Sequence, residues 1–154
     1  PYLLGGLERD EGDHEREYRS VVKGDDTPAR NAMLKLPEDA LIAHSVFTNG
    51  NTNEGSAPRS IGSLEEARSE LRFLSEQRVS VGFVGHTHRP GAYRFDPAAD
   101  TFEDLTGELA SASLSVPTAP AALIVNPGCL PGEEPTYLIF DTERGKITLQ
   151  PLSD

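Results

Sequence analysis

The segment Val81-Gly82-Phe83-Val84-Gly85-His86-Thr87-His88-Arg89-Pro90 passes from an uncharged apolar run into a glycine and then into two histidines two residues apart. Val81, Phe83 and Val84 are β-formers, so the run reads as a strand buried on both faces. Strands of that kind present functional groups at their C-terminal ends, in the crevice outside the sheet. Gly85 is expected to let the chain turn sharply and to permit a close approach to the backbone. Alternate residues of an extended chain share a face, which would aim His86 and His88 at one space. Two neutral imidazoles converging there suit a borderline cation such as zinc, manganese or iron. Pro90 is expected to stop the ladder.

Upstream, Ser63-Leu64-Glu65-Glu66 reads as a helix start, with Ser63 as N-cap and Glu66 reaching back to it in a capping box. Leu64, Ala67, Leu71 and Leu74 follow at helical spacing as a narrow apolar stripe, and Arg68, Glu70, Arg72, Glu76 and Gln77 fall elsewhere on the cylinder. A helix ending near Arg78 and feeding the Val81 run is the crossover between two neighbouring parallel strands. The earlier strand is Ala40 to His44, again short, apolar and ended by histidine. Thr48 to Ser56 has almost nothing to bury and reads as a surface loop. Thr27-Pro28 opens a short helix through Leu34. Downstream, Gly91 to Phe95 reads as a strand, Asp96 to Asp100 as a turn, and Thr101 to Leu105 as the hairpin partner. Ser111 to Ala121 is expected to be a loop. Ala122 to Val125, Thr136 to Asp141 and Lys146 to Gln150 read as strands, with Glu143-Arg144-Gly145 turning the last pair. The pattern is that of an α/β chain.

Length and charge bound the function. The 154 residues amount to one domain, able to bury about two thirds of its unfolded surface. A net charge of −11 and a pI near 4.7 argue against a protein that grips nucleic acid through its phosphates. The single cysteine, Cys129, excludes an internal disulfide and fits a reducing, cytoplasmic compartment. No apolar run is long enough to cross a bilayer and no signal peptide is visible, so no membrane association is expected. Residues 1–26 are mostly charged and read as a solvated helix or loop.

Three motifs, in order, carry a resemblance. They are Leu41-Ile42-Ala43-His44, Gly85-His86-Thr87-His88, and Leu123-Ile124-Val125-Asn126-Pro127-Gly128-Cys129. Together they resemble the penultimate motif, the last motif and the downstream Asn-Pro-Gly-Ser segment of the bacterial calcineurin-like metallophosphoesterases, with Cys129 in place of the serine. The resemblance implies an α/β fold of mixed β-sheets with flanking helices, the second half of a four-layer α/β/β/α sandwich. Residues 1–154 would then be a single partial domain, with 1–26 peripheral. It also implies a hydrolase for phosphomono- or diesters, acting on a phosphate-ester small molecule or a phosphoprotein. Such chemistry needs a nucleophile at neutral pH and neutralisation of charge on the transferring group, and two divalent ions about 3.5–4 Å apart supply both. Manganese, iron, zinc and nickel are all compatible.

By the same resemblance His44 and His86 hold one ion and His88 its neighbour. Gly85 and Asn126 support the site, Asn126 closing a turn beneath it without ligating. A His-x-His pair of metallo-β-lactamase type would want an Asp-His shortly afterwards, and Arg89-Pro90-Gly91-Ala92 offers none. Arg89 is expected to be solvated and Cys129 inert.

Three imidazoles cannot fix two ions, and the family supplies the remaining ligands from upstream motifs. Gly12-Asp13-His14-Glu15 is similar to one of them, Gly-Asn-His-Asp/Glu, although Asp13 stands in the asparagine position. Alternatively, Pro1-Tyr2-Leu3-Leu4 resembles the sequence that follows that motif, which would then precede Pro1. The chain is accordingly expected to be the C-terminal half of a longer polypeptide. The alternative is a degenerate truncated copy, or a non-catalytic scaffold of the same fold.

Overall fold

The computed structural model of the chain describes residues 39–43, 46–47, 60–129 and 134–152. In chain order their elements are β1 (Ala40–Ile42), α1 (Leu64–Glu76), β2 (Val81–Phe83), β3 (Pro90–Asp96), β4 (Thr101–Asp104), α2 (Thr106–Ser111), β5 (Leu114–Ser115), β6 (Ala122–Pro127), β7 (Thr136–Asp141) and β8 (Lys146–Pro151).

α1 starts where its capping residues place it. The Ser63 side chain accepts the Glu66 N–H at 3.3 Å. Glu66 Oε2 reaches back to the Gly62 N–H at 2.8 Å, one residue before the reciprocal partner of a standard box. Ala67, Leu71 and Leu74 are fully buried; complete burial of a leucine stabilises the fold by about 1.5–3 kcal/mol. The helix ends at Glu76, with Gln77 as C-cap. Glu70 departs from the expected pattern. It is buried among the apolar residues, because the backbone N–H of Phe47 donates to its Oε2 at 2.6 Å and gives the carboxylate a partner there.

The crossover carried by α1 joins parallel neighbours: Ala40 pairs with Val81 and Ile42 with Phe83. β2 pairs in turn with β6, also parallel. β3 runs antiparallel to β6 and to β4, which gives a mixed five-stranded sheet of order β1-β2-β6-β3-β4. β2 thus has a strand on each edge and is buried throughout, as its lack of charge requires. At its centre, a Cβ on Gly82 would lie 2.5 Å from the Phe47 ring and 2.9 Å from Leu74 Cδ1. Glycine is what lets α1 and Phe47 seat directly on the sheet.

A second, antiparallel sheet of order β5-β8-β7 packs on the other face. Leu71, Leu74, Tyr93 and Ile124 belong to the core between α1 and the first sheet. Val81, Phe83, Leu123, Val125, Leu138 and Ile147 belong to the core between the sheets. There the Phe83 and Phe140 rings lie 5.5 Å apart. Helix, mixed sheet and second sheet are the layers among the described residues, and the class is the expected mixed α/β arrangement with flanking helices.

Two local expectations are corrected. The stretch from Ser111 to Ala121 is not all loop: it holds the end of α2 and the short β5, because Leu109 and Leu114 are buried against the second core. Pro90 does not stop the ladder but opens β3, opposite Pro127. The first position of a strand is one where a residue without an N–H is tolerated. The helix expected from Thr27, the loop from Thr48 to Ser56 and the charged residues 1–26 lie outside the described residues.

Candidate functional site

β1, β2 and β6 run in one direction, so their C-terminal ends share one edge of the sheet. The ladder extends slightly beyond the strands, with Ala43 N–H donating to Phe83 O at 2.9 Å and Val84 N–H to Val125 O at 3.0 Å. Beyond Val84 the chain leaves extended geometry. His86 has φ +70° and His88 φ +59°, so the alternation of an extended chain is not what places the two imidazoles. The strand stops at Phe83 and a turn replaces it. Nor is Gly85 among the residues with positive φ; the left-handed positions are the histidines themselves. Each costs about 1–2 kcal/mol relative to ordinary backbone, and such strain persists only where the surroundings impose it.

The turn has a definite form. Thr87 N–H donates to Gly85 O at 2.9 Å, which closes a three-residue ring around His86. With φ positive at the central residue, this is the rarer, strained hand of the γ-turn. Both imidazoles belong to exposed residues, as does Arg89. Below them lies Asn126, 1% exposed. Its Nδ2 donates to Gly85 O at 3.0 Å and to Thr87 Oγ1 at 2.9 Å, and its Oδ1 accepts the Gly128 N–H at 2.9 Å. Gly128 has φ +84°, and a Cβ there would stand 2.5 Å from Thr136 Oγ1. That hydroxyl donates to Pro127 O at 2.7 Å, tying β6 to the start of β7. Next along is Cys129, a half-buried free thiol.

The N-terminal lead of α1 approaches the same edge, where a Cβ on Gly62 would lie 3.4 Å from Thr87 Cγ2. Behind the edge, burial pushes the Tyr93 phenol above its ordinary range. The charge of Asp104 adds to this, a hydrogen bond with Thr106 opposes it, and Glu66 adds a smaller upward push.

The structure therefore brings His86, His88, Gly85 and Asn126 into one loop and its support. His44 and the Asp13-His14 pair lie outside the described residues. Among the described residues no group of three or more His, Cys, Asp or Glu side chains is placed to hold a metal ion. As donors, His86 and His88 fit a divalent cation in kind, since both are accessible imidazoles; a full ligand set needs residues beyond the described ones. Sequence reasoning missed Thr87 as a hydrogen-bonding hub. A hydroxyl residue between two histidines, with an asparagine ending a nearby apolar run, is the signal that could have found it.

No protein-family model and no curated protein matches the chain. A solved structure does: the crystal structure of a metallophosphoesterase from Sphaerobacter thermophilus superposes with a TM-score of 0.52 at 20% identity. The match covers 80% of this chain and 50% of that one, so the chain spans about half the length of the protein it resembles. A likeness at this identity defines the fold, and the fold is metallophosphoesterase-like.

Proposed function

We propose that residues 1–154 are the C-terminal part of a metal-dependent phosphoesterase domain that hydrolyses phosphomono- or diesters of small molecules or phosphoproteins in the cytoplasm. The observation that carries this reading is the loop at the sheet edge. Two accessible imidazoles, His86 and His88, stand on a strained turn at the C-terminal ends of parallel strands, in a metallophosphoesterase-like fold. Ligands of open α/β sheets bind at such edges. His44 follows β1, the parallel neighbour of β2, and is the natural third donor.

In this reading His44 and His86 hold one divalent ion and His88 its neighbour, with further ligands supplied from outside the described residues. When bound, the ions neutralise charge on the phosphoryl group and supply the nucleophile at neutral pH. The chain's own residues hold the donors. Asn126 donates to Gly85 O and to the Thr87 hydroxyl, and the Gly85 carbonyl also accepts the Thr87 N–H. Exposed Arg89 carries a positive charge beside the edge, in a chain that is otherwise strongly acidic. No helix among the described residues is long and apolar enough to cross a membrane.

The test uses the full-length protein with added manganese and a generic aryl phosphate mono- or diester. His86→Ala is expected to lower turnover by about two orders of magnitude or more, because losing a ligand uncouples the ion pair. Undiminished turnover in that variant ends the proposal.

A further inference from the structure

We infer that Asn126 and Thr87 form a latch that holds His86 at the apex of its strained turn, so that the backbone carrying both imidazoles is set before any ligand arrives. The latch takes its purpose from the reading of these histidines as metal donors, but its geometry is independent of that reading.

The argument starts from the two left-handed histidines, which stand only two residues apart. Neither is a glycine, so something outside the backbone must hold them there. The Asn126 amide is built for that task. Its oxygen is taken by the Gly128 N–H, so the nitrogen must face the loop. One N–H then goes to Gly85 O and the other to Thr87 Oγ1, the residues on either side of His86. The same Gly85 carbonyl accepts the Thr87 N–H, so three hydrogen bonds close around a single residue. Thr87 Oγ1 also accepts the Arg89 N–H at 3.4 Å, a longer contact that carries the constraint across His88. With Asn126 buried, neither of its donors has water to fall back on. Thr87 is therefore a positioning residue: it acts on the imidazoles through the backbone, and its hydroxyl is the atom that counts.

The experiment compares Thr87→Val, which keeps the shape and removes the hydroxyl, with Thr87→Ser, which restores it. In the metal-free protein, NMR reads the conformation of His86 and His88 from the strong intraresidue amide-to-α-proton contact of a left-handed residue. In a second arm, cobalt is titrated and followed by its visible absorption. Thr87→Val is expected to lose the left-handed signature and to bind cobalt about tenfold or more weakly, and Thr87→Ser to recover both. A Val variant that keeps the signature and the native cobalt affinity overturns the latch. A third reading needs no variant: the Asn126 side-chain amide protons of the native protein must exchange slowly with solvent, and rapid exchange also overturns it. If the native protein binds no cobalt while the NMR readings come out as expected, the metal reading fails and the latch stands.

Discussion

Gly128 shows how a single position governs the histidine edge from behind. It supplies the N–H that fixes the Asn126 amide, and it does so at φ +84°, where a side chain is strained. A methyl there would also press on Thr136 Oγ1 at 2.5 Å and on Pro90 Cγ at 2.9 Å. Gly128→Ala is therefore expected to cost about 2 kcal/mol or more in urea unfolding. The loss should come with disturbed His86 and His88 amide resonances, although the atoms nearest the new methyl belong to Thr136 and Pro90. An unfolding midpoint and histidine resonances equal to the native ones would separate Gly128 from the loop. At this scale the sequence was informative about which residues meet at the sheet edge and silent about their shape. His86, His88 and Asn126 were legible because a glycine, two histidines and an Asn-Pro-Gly segment stand in the proper order. The left-handed backbone of the two histidines was not, because period-two reasoning assumes that the strand continues, whereas β2 ends at Phe83.

Elements were legible in proportion to their length and to how local their causes are. α1 has its start written in Ser63 and Glu66 and its buried face in Ala67, Leu71 and Leu74, all within a few turns. α2 and β5 are 6 and 2 residues long, too short for periodicity, and exist because Leu109 and Leu114 find a core. Glu70 was misplaced for the same reason, since its partner, the Phe47 N–H, lies 23 residues away in the chain. That bond holds Phe47 against the helix, and the Phe47 ring then covers Gly82. Glu70→Ala leaves a buried N–H without its acceptor and is expected to destabilise the fold by about 2–3 kcal/mol in urea titrations. Glu70→Gln keeps an acceptor oxygen and should lose clearly less. Equal losses in the two variants would mean that the negative charge, and not the hydrogen bond, is what the site needs.

For the molecule as a whole, the strands are arranged so that parallel β1, β2 and β6 deliver their ends to one edge, while the second sheet closes the opposite face. The mixed α/β class was readable from the alternation of short strands with a capped helix, and the sandwich from the resemblance of three ordered motifs. The candidate site was not readable in full, because a site assembled from several strand ends spreads its residues along the chain, and His44 and the Asp13-His14 pair lie outside the described residues. The central claim is the proposal that His44, two residues beyond β1 in the sequence, joins His86 and His88 around divalent metal. Adding sub-stoichiometric manganese to the protein and following its histidine imidazole resonances tests this most directly, since the paramagnetic ion broadens the nearest rings most strongly. The account predicts that the signals of His44, His86 and His88 disappear together. A His44 signal that stays sharp while the other two vanish would contradict it.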